Sequence, residues 1–187
     1  MRPILRGDHL HLQLVEKDDI PKRVEWINDP EIQLSLHYEY PTSLAKGLKW
    51  FEKIVSDTGR VDFSIITNKD NQYIGFCGLI NIDRITRKAE LYNVIGVKRF
   101  QGKGIGTEAY KLVVNYGFLE LGLNRIYGYQ NTDNHAALHA VKNIGWRCEG
   151  TLIQDLWAHG RLYDRNVVSI LRSEWETHRA YNFPDEQ

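Results

Sequence analysis

The chain has 187 residues, a length typical of one domain, and its 24 basic side chains balance 24 acidic ones. A formal net charge of zero disfavours a protein held on nucleic acid or anionic lipid by bulk charge. No apolar stretch is long enough for a signal peptide core or a membrane span. We therefore expect one cytoplasmic domain over residues 1–187 that contacts neither nucleic acid nor membrane.

The two cysteines predict a protein without a disulfide, in a reducing compartment. Cys77 and Cys148 lie far apart in apolar stretches, which predicts two buried thiols rather than a disulfide.

Residues 9–14 alternate leucine with polar side chains, which predicts a strand with all three leucines in the core. Two helices are predicted next, and the turn signal at 68–71 then separates two strands. These four elements are predicted at about residues 18–29, 42–54, 61–67 and 73–82.

The second half of the chain continues the mixture of strands and helices. Its predicted elements are a strand at Ala89–Val97, a helix at Thr107–Leu121, a strand at Arg125–Tyr129, a helix from about 134 to 145, and strands at about 146–155 and 162–171. The fold class is therefore α/β in the broad sense (α+β). It has a mixed twisted sheet of about seven strands flanked by helices.

A glycine-rich loop, Gln101–Gly106, lies between a predicted strand and a predicted helix. Glycine tolerates positive φ and lets the backbone approach a ligand closely. The first turn of a helix offers amide hydrogens without partners and a partial positive charge. Lys103 adds a cation at the rim. Together these features predict a cradle for a pyrophosphate group.

The glycine spacing separates this loop from the nucleotide-binding loops. A dinucleotide fingerprint requires G-x-G-x-x-G, whereas Gly102, Gly104 and Gly106 give G-x-G-x-G. A Walker loop requires Gly-Lys-Ser or Gly-Lys-Thr, and here Gly104 follows Lys103. A glycine-rich turn that binds no ligand remains the structural alternative.

Several spaced motifs together resemble one enzyme superfamily. Gln101-x-x-Gly104-x-Gly106 resembles the acyl-CoA pyrophosphate loop of the GNAT acetyltransferases. Asn134-x-x-Ala137 resembles the start of that superfamily's next helix. The segment 157–164 resembles the C-terminal signature of the RimJ/RimL type, the ribosomal-protein alanine acetyltransferases. The resemblance covers nearly the whole chain and implies a GNAT fold whose central strands splay apart.

The resemblance implies acetyl-CoA as co-substrate, no metal, and direct attack of a primary amine on the thioester within a ternary complex. A backbone amide on the strand that ends near Val97 would polarise the thioester carbonyl. The residues implied to contact acetyl-CoA are Ile95, Val97, Gln101, Gly102, Lys103, Gly104, Ile105, Gly106, Thr107 and Asn134.

Three side chains are candidates for the chemistry, each with a structural alternative. Glu90 is the first candidate base, acting through water, and otherwise a solvated or ion-paired strand carboxylate. Asp164 is a second acidic candidate, and otherwise a turn carboxylate. Asn134 would hold the reactive geometry, and it also suits a plain helix N-cap.

The acceptor side is less defined. Tyr38, Trp157 and Tyr163 are candidate acceptor contacts, with a hydrophobic flap over the core as the alternative for the segment around Tyr38. Candidate acceptors are a protein N-terminal amine, an amino-sugar nucleotide, a polyamine and an aminoglycoside. A homodimer through exposed strand edges is expected by analogy only.

Two positions depart from the family pattern. Many relatives carry a tyrosine that protonates the leaving thiolate where this chain has Val141, and others carry a serine where it has Ala137. The alternative function is therefore a catalytically weak acyl-CoA-binding sensor or scaffold. His135 and His139 have a metal-ligand spacing, but no third ligand is evident, and we expect no metal.

Overall fold

The computed structural model describes residues 4–33, 38–142 and 144–182, without the side chains of 4, 135, 136, 139, 140 and 178–182. The strands of this part are β1 (Ile4–Arg6), β2 (Leu10–Leu14), β3 (Val61–Thr67), β4 (Tyr73–Asp83), β5 (Lys88–Ile95), β6 (Arg125–Asn131), β7 (Arg147–Ala158) and β8 (Arg161–Leu171). The helices are α1 (Ile20–Asn28), α2 (Pro30–Gln33), α3 (Leu44–Ile54), α4 (Ile105–Leu119), α5 (His135–Lys142) and α6 (Arg172–Asn182).

All eight described strands belong to one sheet, in the order β1-β2-β3-β4-β5-β6-β8-β7. Each neighbouring pair is antiparallel except β5 and β6, which run parallel. Those two strands pair at three positions only, and the last pair joins Glu90 to Tyr127. Beyond it the strands separate, as the resemblance implies. The mixed, mostly antiparallel α/β fold is confirmed.

The core lies between the sheet and the helices that cover it. Val113 and Phe118 of α4 are fully buried against β-strand side chains such as Leu10 and Leu12. Burial of apolar surface of this kind is the main stabilising term in folding. The prediction for the third leucine is wrong, because Leu14 is 37% exposed at the last position of β2, where the chain leaves the sheet.

The two helices predicted in the first half correspond to α1 and α3 and match their boundaries within a few residues. The four-residue α2 is absent from the predicted order. Pro21 lies in the first turn of α1, where its missing amide hydrogen costs nothing. Ser43 caps α3, and its hydroxyl accepts the amide hydrogen of Lys46 at 3.2 Å.

Several expectations need correction. The sheet has eight strands rather than about seven, because the short β1 adds an edge that has too few residues for a sequence pattern. The C-terminal helix α6 is also absent from the predicted order. Cys77 is buried, but Cys148 is exposed, because it lies on the open edge strand β7. No helix in the described ranges is both long and apolar enough to cross a membrane.

The predicted strand Ala89–Val97 ends two residues early. The amides of Gly96 and Val97 both donate to the carbonyl of Ile74, at 2.9 and 3.1 Å, so the regular pairing stops there. A 3-10 turn at Lys98–Phe100 then leads the chain toward α4. The glycine loop is thus placed directly at the end of β5.

Candidate functional site

The glycine loop joins the end of β5 to the start of α4. Gly102 and Gly104 have φ of +70° and +81°, a conformation in which other residues are strained. A Cβ atom at either position would meet no atom within 4 Å, so both glycines border open space. Gly104 is the N-cap of α4, and its carbonyl accepts the amide hydrogen of Glu108 at 3.0 Å.

Two side chains hold this loop against β5. Gln101 donates from Nε2 to the carbonyl of Ile95 at 2.8 Å. Asn93 donates from Nδ2 to the carbonyl of Gly106 at 2.8 Å. These two hydrogen bonds fix the loop at the start of α4. The amides in the first turn of α4 have no carbonyl of a preceding turn to bond, so their hydrogens point out of the N-terminal end of the helix. The arrangement suits an anion such as a pyrophosphate.

The backbone of β5 also has amides that face the gap. Gly96 bonds to β4, so every second amide of β5 faces β4, and those of Asn93 and Ile95 face the opposite way. Pairing with β6 has ended by then, so these two amides face the space between the strands. Ile95 and Val97 are both expected to contact acetyl-CoA, but the amide of Val97 is bonded to Ile74, which leaves Ile95 as the candidate backbone donor.

A cavity of about 320 Å³ occupies the gap between β5 and β6. Three buried amide oxygens among its lining residues have no hydrogen-bond partner in the described part of the chain: Asn93 Oδ1, Gln130 Oε1 and Asn131 Oδ1. Buried acceptors without a donor are rare in folded proteins and costly. The cavity is therefore suited to a ligand that carries N–H groups.

Glu90 belongs to the last residue pair between β5 and β6, where the two strands begin to separate, and it lines the cavity. Asn81 donates from Nδ2 to its Oε2 at 2.9 Å. Burial raises the pKa of Glu90, while the Asn81 hydrogen bond and the Arg165 charge oppose that rise. A half-buried carboxylate with a raised pKa is a stronger proton acceptor than an exposed one.

Asn134 caps a helix, as predicted, and its role in holding the reactive geometry stays a prediction. Its Oδ1 accepts the amide hydrogen of Ala137 at 3.1 Å, so it caps α5, and the residue also lines the cavity. Ala137 lines the cavity as well, but Val141 is 1% exposed and belongs to the hydrophobic core. Neither side chain can donate a proton to a leaving thiolate.

The structure separates the remaining acceptor candidates. Tyr38 lines the cavity between β5 and β6, whereas Asp164, Trp157 and Tyr163 lie on the β7–β8 ribbon and are not among the described lining residues. Asp164 Oδ1 accepts the amide hydrogen of Gln154 at 2.7 Å, a contact between β8 and β7 rather than at a turn, and its role as a base stays a prediction. Trp157 is 68% exposed, and Arg161 lies over the Tyr163 ring at 4.2 Å. Leu36 and His37, which precede Tyr38 in the sequence, lie outside the described residues.

Sequence reasoning missed most of the cavity's polar wall. The lining residues that it did not single out include Asn93, Tyr110, Tyr129, Gln130, Asn131 and Arg165. One signal was available, because β6 changes from an apolar pattern to the polar pair Gln130-Asn131 at its end. Arg165 had no local signal, because it reaches the cavity only through the pairing of β8 with β6.

No group of three or more histidine, cysteine or acidic side chains suited to a metal ion occurs among the described residues. The side chains of His135 and His139 lie outside that part.

The fold agrees with comparisons to known proteins. Residues 9–147 match the model of the acetyltransferase (GNAT) domain. The match spans well over half of the chain, so the protein belongs to the GNAT acetyltransferase family. It is an acetyl-CoA-dependent N-acetyltransferase that transfers the acetyl group to an amine.

Individual relatives share almost the full length. The spermidine N(1)-acetyltransferase of Escherichia coli K12 is 27% identical over 170 residues, covering 91% of this chain and 83% of that protein. An uncharacterized N-acetyltransferase of Bacillus licheniformis, p20, is 29% identical over 174 residues, covering 91% and 97%. The crystal structure of spermidine N-acetyltransferase from Vibrio cholerae in complex with CoA and spermine has a TM-score of 0.86 and 26% identity, covering 91% of this chain and 99% of that one.

Replacing Gly104 by valine tests the loop assignment. We expect Gly104→Val to lower acetyl-CoA affinity at least tenfold in a calorimetric titration, because a β-branched residue at φ +81° forces the loop to rearrange. Gly160→Val is the matched control, since Gly160 has φ +75° with open space around it in the β7–β8 turn. Equal affinities in the two folded variants would contradict the assignment.

Proposed function

We propose that this enzyme acetylates the α-amine of a protein or peptide N-terminus, with Glu90 as the general base acting through water. The observation that carries the proposal is the position of the Glu90 carboxylate. It lies in the cavity between β5 and β6, at the point where the two strands separate. The RimJ/RimL-like motifs of the C-terminal half support the same acceptor class.

Acetyl-CoA is proposed to enter from the glycine loop. Its pyrophosphate binds the amides of residues 102–107, with Lys103 at the rim. The pantetheine arm lies between β5 and β6, where its amide groups meet the unpartnered oxygens of Asn93 and Gln130. The backbone amide of Ile95 donates to the thioester carbonyl and stabilises the negative charge that develops on it. Asn134 contacts the arm from the start of α5.

The charges of the cavity favour an acceptor with one cationic centre. Glu90 is the one carboxylate among the described residues that line it, and Arg165 is also present. Polyamines and aminoglycosides carry several positive charges, which a wall with a single carboxylate does not complement. Although relatives are spermidine acetyltransferases, their acceptor is therefore the second candidate here.

The ionisation of the acceptor supports the same choice. An α-amine has a pKa of about 8, so on the order of a tenth is neutral at pH 7. An alkyl ammonium with a pKa of about 10 is neutral in less than a thousandth of molecules. A glutamate is a weak base, so an acceptor that is easily deprotonated suits Glu90. The thiol of CoA, with a reference pKa of about 8.5, leaves with a proton from water, without a side-chain acid at Val141.

A panel of acceptors tests the substrate class. With acetyl-CoA and a thiol-release assay, we expect turnover with a short peptide that has a free N-terminal alanine. The same peptide with a blocked N-terminus is the control and should not react. Faster turnover with spermidine would establish the second candidate, and absence of turnover with every amine would favour the acyl-CoA sensor.

Replacing Glu90 by glutamine tests the base. We expect Glu90→Gln to lower kcat about 100-fold, because proton removal is lost, with acetyl-CoA affinity within about twofold of wild type. Catalysis requires the ionised carboxylate, so the wild-type rate rises with pH. Because burial raises the pKa of Glu90, this rise lies above the ordinary value of 4.5, and it disappears in the variant.

The control is Glu120→Gln, which alters an exposed carboxylate at the end of α4 and should retain the wild-type rate and pH profile. An unchanged kcat and an unchanged acid limb in Glu90→Gln would assign the base elsewhere.

We also propose a homodimer through β7 and a cytoplasmic location. β7 is a twelve-residue edge strand that is mostly exposed, with Ile153 72% exposed, and such an edge presents unpaired backbone groups to a second copy. The location rests on Cys148, an exposed unpaired thiol that suits a reducing compartment.

Sedimentation equilibrium tests the dimer. We expect a dimer for the wild type and a monomer for Ile153→Lys, because a charge on each copy would be buried at the shared edge. Leu119→Lys is the control, since Leu119 is also exposed (46%) but lies on α4. A monomeric wild type, or dissociation of both variants, would exclude this interface.

A further inference from the structure

A second cavity lies on the other side of Tyr38, beneath the first helices. It has a volume of about 340 Å³ and is enclosed by α1, α3 and the segment 38–42. We name it the helical cavity. Tyr38 lines both cavities, but the helical cavity shares no other described lining residue with the gap between β5 and β6. It is therefore separate from Glu90, Asn134 and the glycine loop, which are proposed for acetyl transfer.

Arg23 of α1 lines the helical cavity and is only 2% exposed. Its guanidinium carbon lies 3.7 Å from the ring centroid of Phe76 and 4.3 Å from that of Trp50. Its Nη2 has a long contact of 3.5 Å to the Tyr38 hydroxyl, and its Nη1 has no hydrogen-bond partner in the described part of the chain. The buried cation thus has aromatic neighbours and one donor group unsatisfied.

The nearby carboxylate is already engaged by other groups. Asp62 accepts two hydrogen bonds from Arg60, from Nε at 2.6 Å and from Nη2 at 2.8 Å. Asp62 also accepts the hydroxyl hydrogen of Tyr92. Two arginines therefore share one carboxylate, and Arg23 is the partner without direct contact. A buried guanidinium without a directly bonded carboxylate is destabilising, so a bound anion would be favoured here.

The entrance of the helical cavity is positively charged, as is Arg23 inside it. Lys46, Lys49 and Lys53 line it from α3, and Glu39, which pairs with Lys46, is the opposing carboxylate. Clustered charges of one sign raise the local concentration of oppositely charged ligands. A polyamine would be repelled by this entrance, whereas an organic anion would be attracted.

The inner walls define the rest of the ligand. Ile20, Val24 and Ile27 line the cavity from α1, and each is at least nine-tenths buried. Inorganic phosphate would leave these apolar walls uncovered and would need more donors than Arg23 supplies. We propose that the helical cavity binds a small organic acid, whose carboxylate pairs with Arg23 and whose apolar body packs against α1.

A calorimetric titration with sodium benzoate tests this site, with saturating acetyl-CoA present to fill the other cavity. We expect one benzoate to bind per chain, and neither benzyl alcohol, benzylamine nor inorganic phosphate to bind detectably. Arg23→Met keeps the length and apolar character of the side chain, and it should lower benzoate affinity at least tenfold. Acetyl-CoA affinity, measured on the same variant, should stay within twofold and shows that the protein is folded.

Lys49→Glu carries the test if Arg23→Met does not fold. It reverses one charge at the entrance and should lower benzoate affinity at least threefold, whereas Lys69→Glu, in the exposed β3–β4 turn, should not change it. The proposal is overturned if benzoate does not bind, if saturating acetyl-CoA abolishes binding, or if a folded Arg23→Met protein retains full affinity. Equally tight, Arg23-dependent binding of phosphate would also overturn it, by removing the role of the apolar walls.

Discussion

The parallel pairing of β5 with β6 determines where the parts of the candidate site lie. β5 and β6 run side by side for three residue pairs and then separate, while every other neighbouring pair is antiparallel. The helix α4 that connects them begins at the glycine loop, so the predicted phosphate cradle lies at the open end of the split. The same separation frees the backbone of β5 at Asn93 and Ile95 and places the Glu90 carboxylate where the split begins. Cradle, backbone donors and candidate base thus follow from one break in strand pairing.

Buried charge is concentrated under the first helices rather than in the split. Arg23, Arg60 and Asp62 lie close to the aromatic ring of Trp50 or its neighbours, and Tyr92 adds a hydroxyl hydrogen bond to the carboxylate. Arginine is suited to this setting because its planar group stacks on rings and is weakly hydrated. The two cavities consequently differ in character. One offers a carboxylate and amide oxygens, and the other offers a guanidinium in an apolar surround.

Local signals in the sequence predicted the parts of the site that the chain builds from neighbouring residues. Gly102 and Gly104 adopt positive φ as their spacing indicated, and Asn134 caps its helix. The positions of Arg23, Gln130 and Arg165 in the cavity walls could not be predicted, because each wall is completed by strands or helices distant in the sequence. The GNAT family and the mixed sheet were predicted correctly, and the RimJ/RimL branch stays a prediction. The number of strands was wrong, since β1 has only three residues. The roles of Glu90 and Asp164 stay predictions.

The split also makes the co-substrate part of the architecture. A sheet interior with unpaired backbone amides and unpartnered amide oxygens is an incomplete ladder, and a pantetheine arm carries the amide groups that would complete it. A ligand that binds the folded chain and not the unfolded one adds RT ln(1 + [L]/Kd) to the free energy of unfolding, about 2.7 kcal/mol at a hundredfold excess over Kd. The lifetime of this protein in a cell would then follow the supply of acetyl-CoA. Starvation for the acetyl donor would thus deplete the enzyme as well as its substrate.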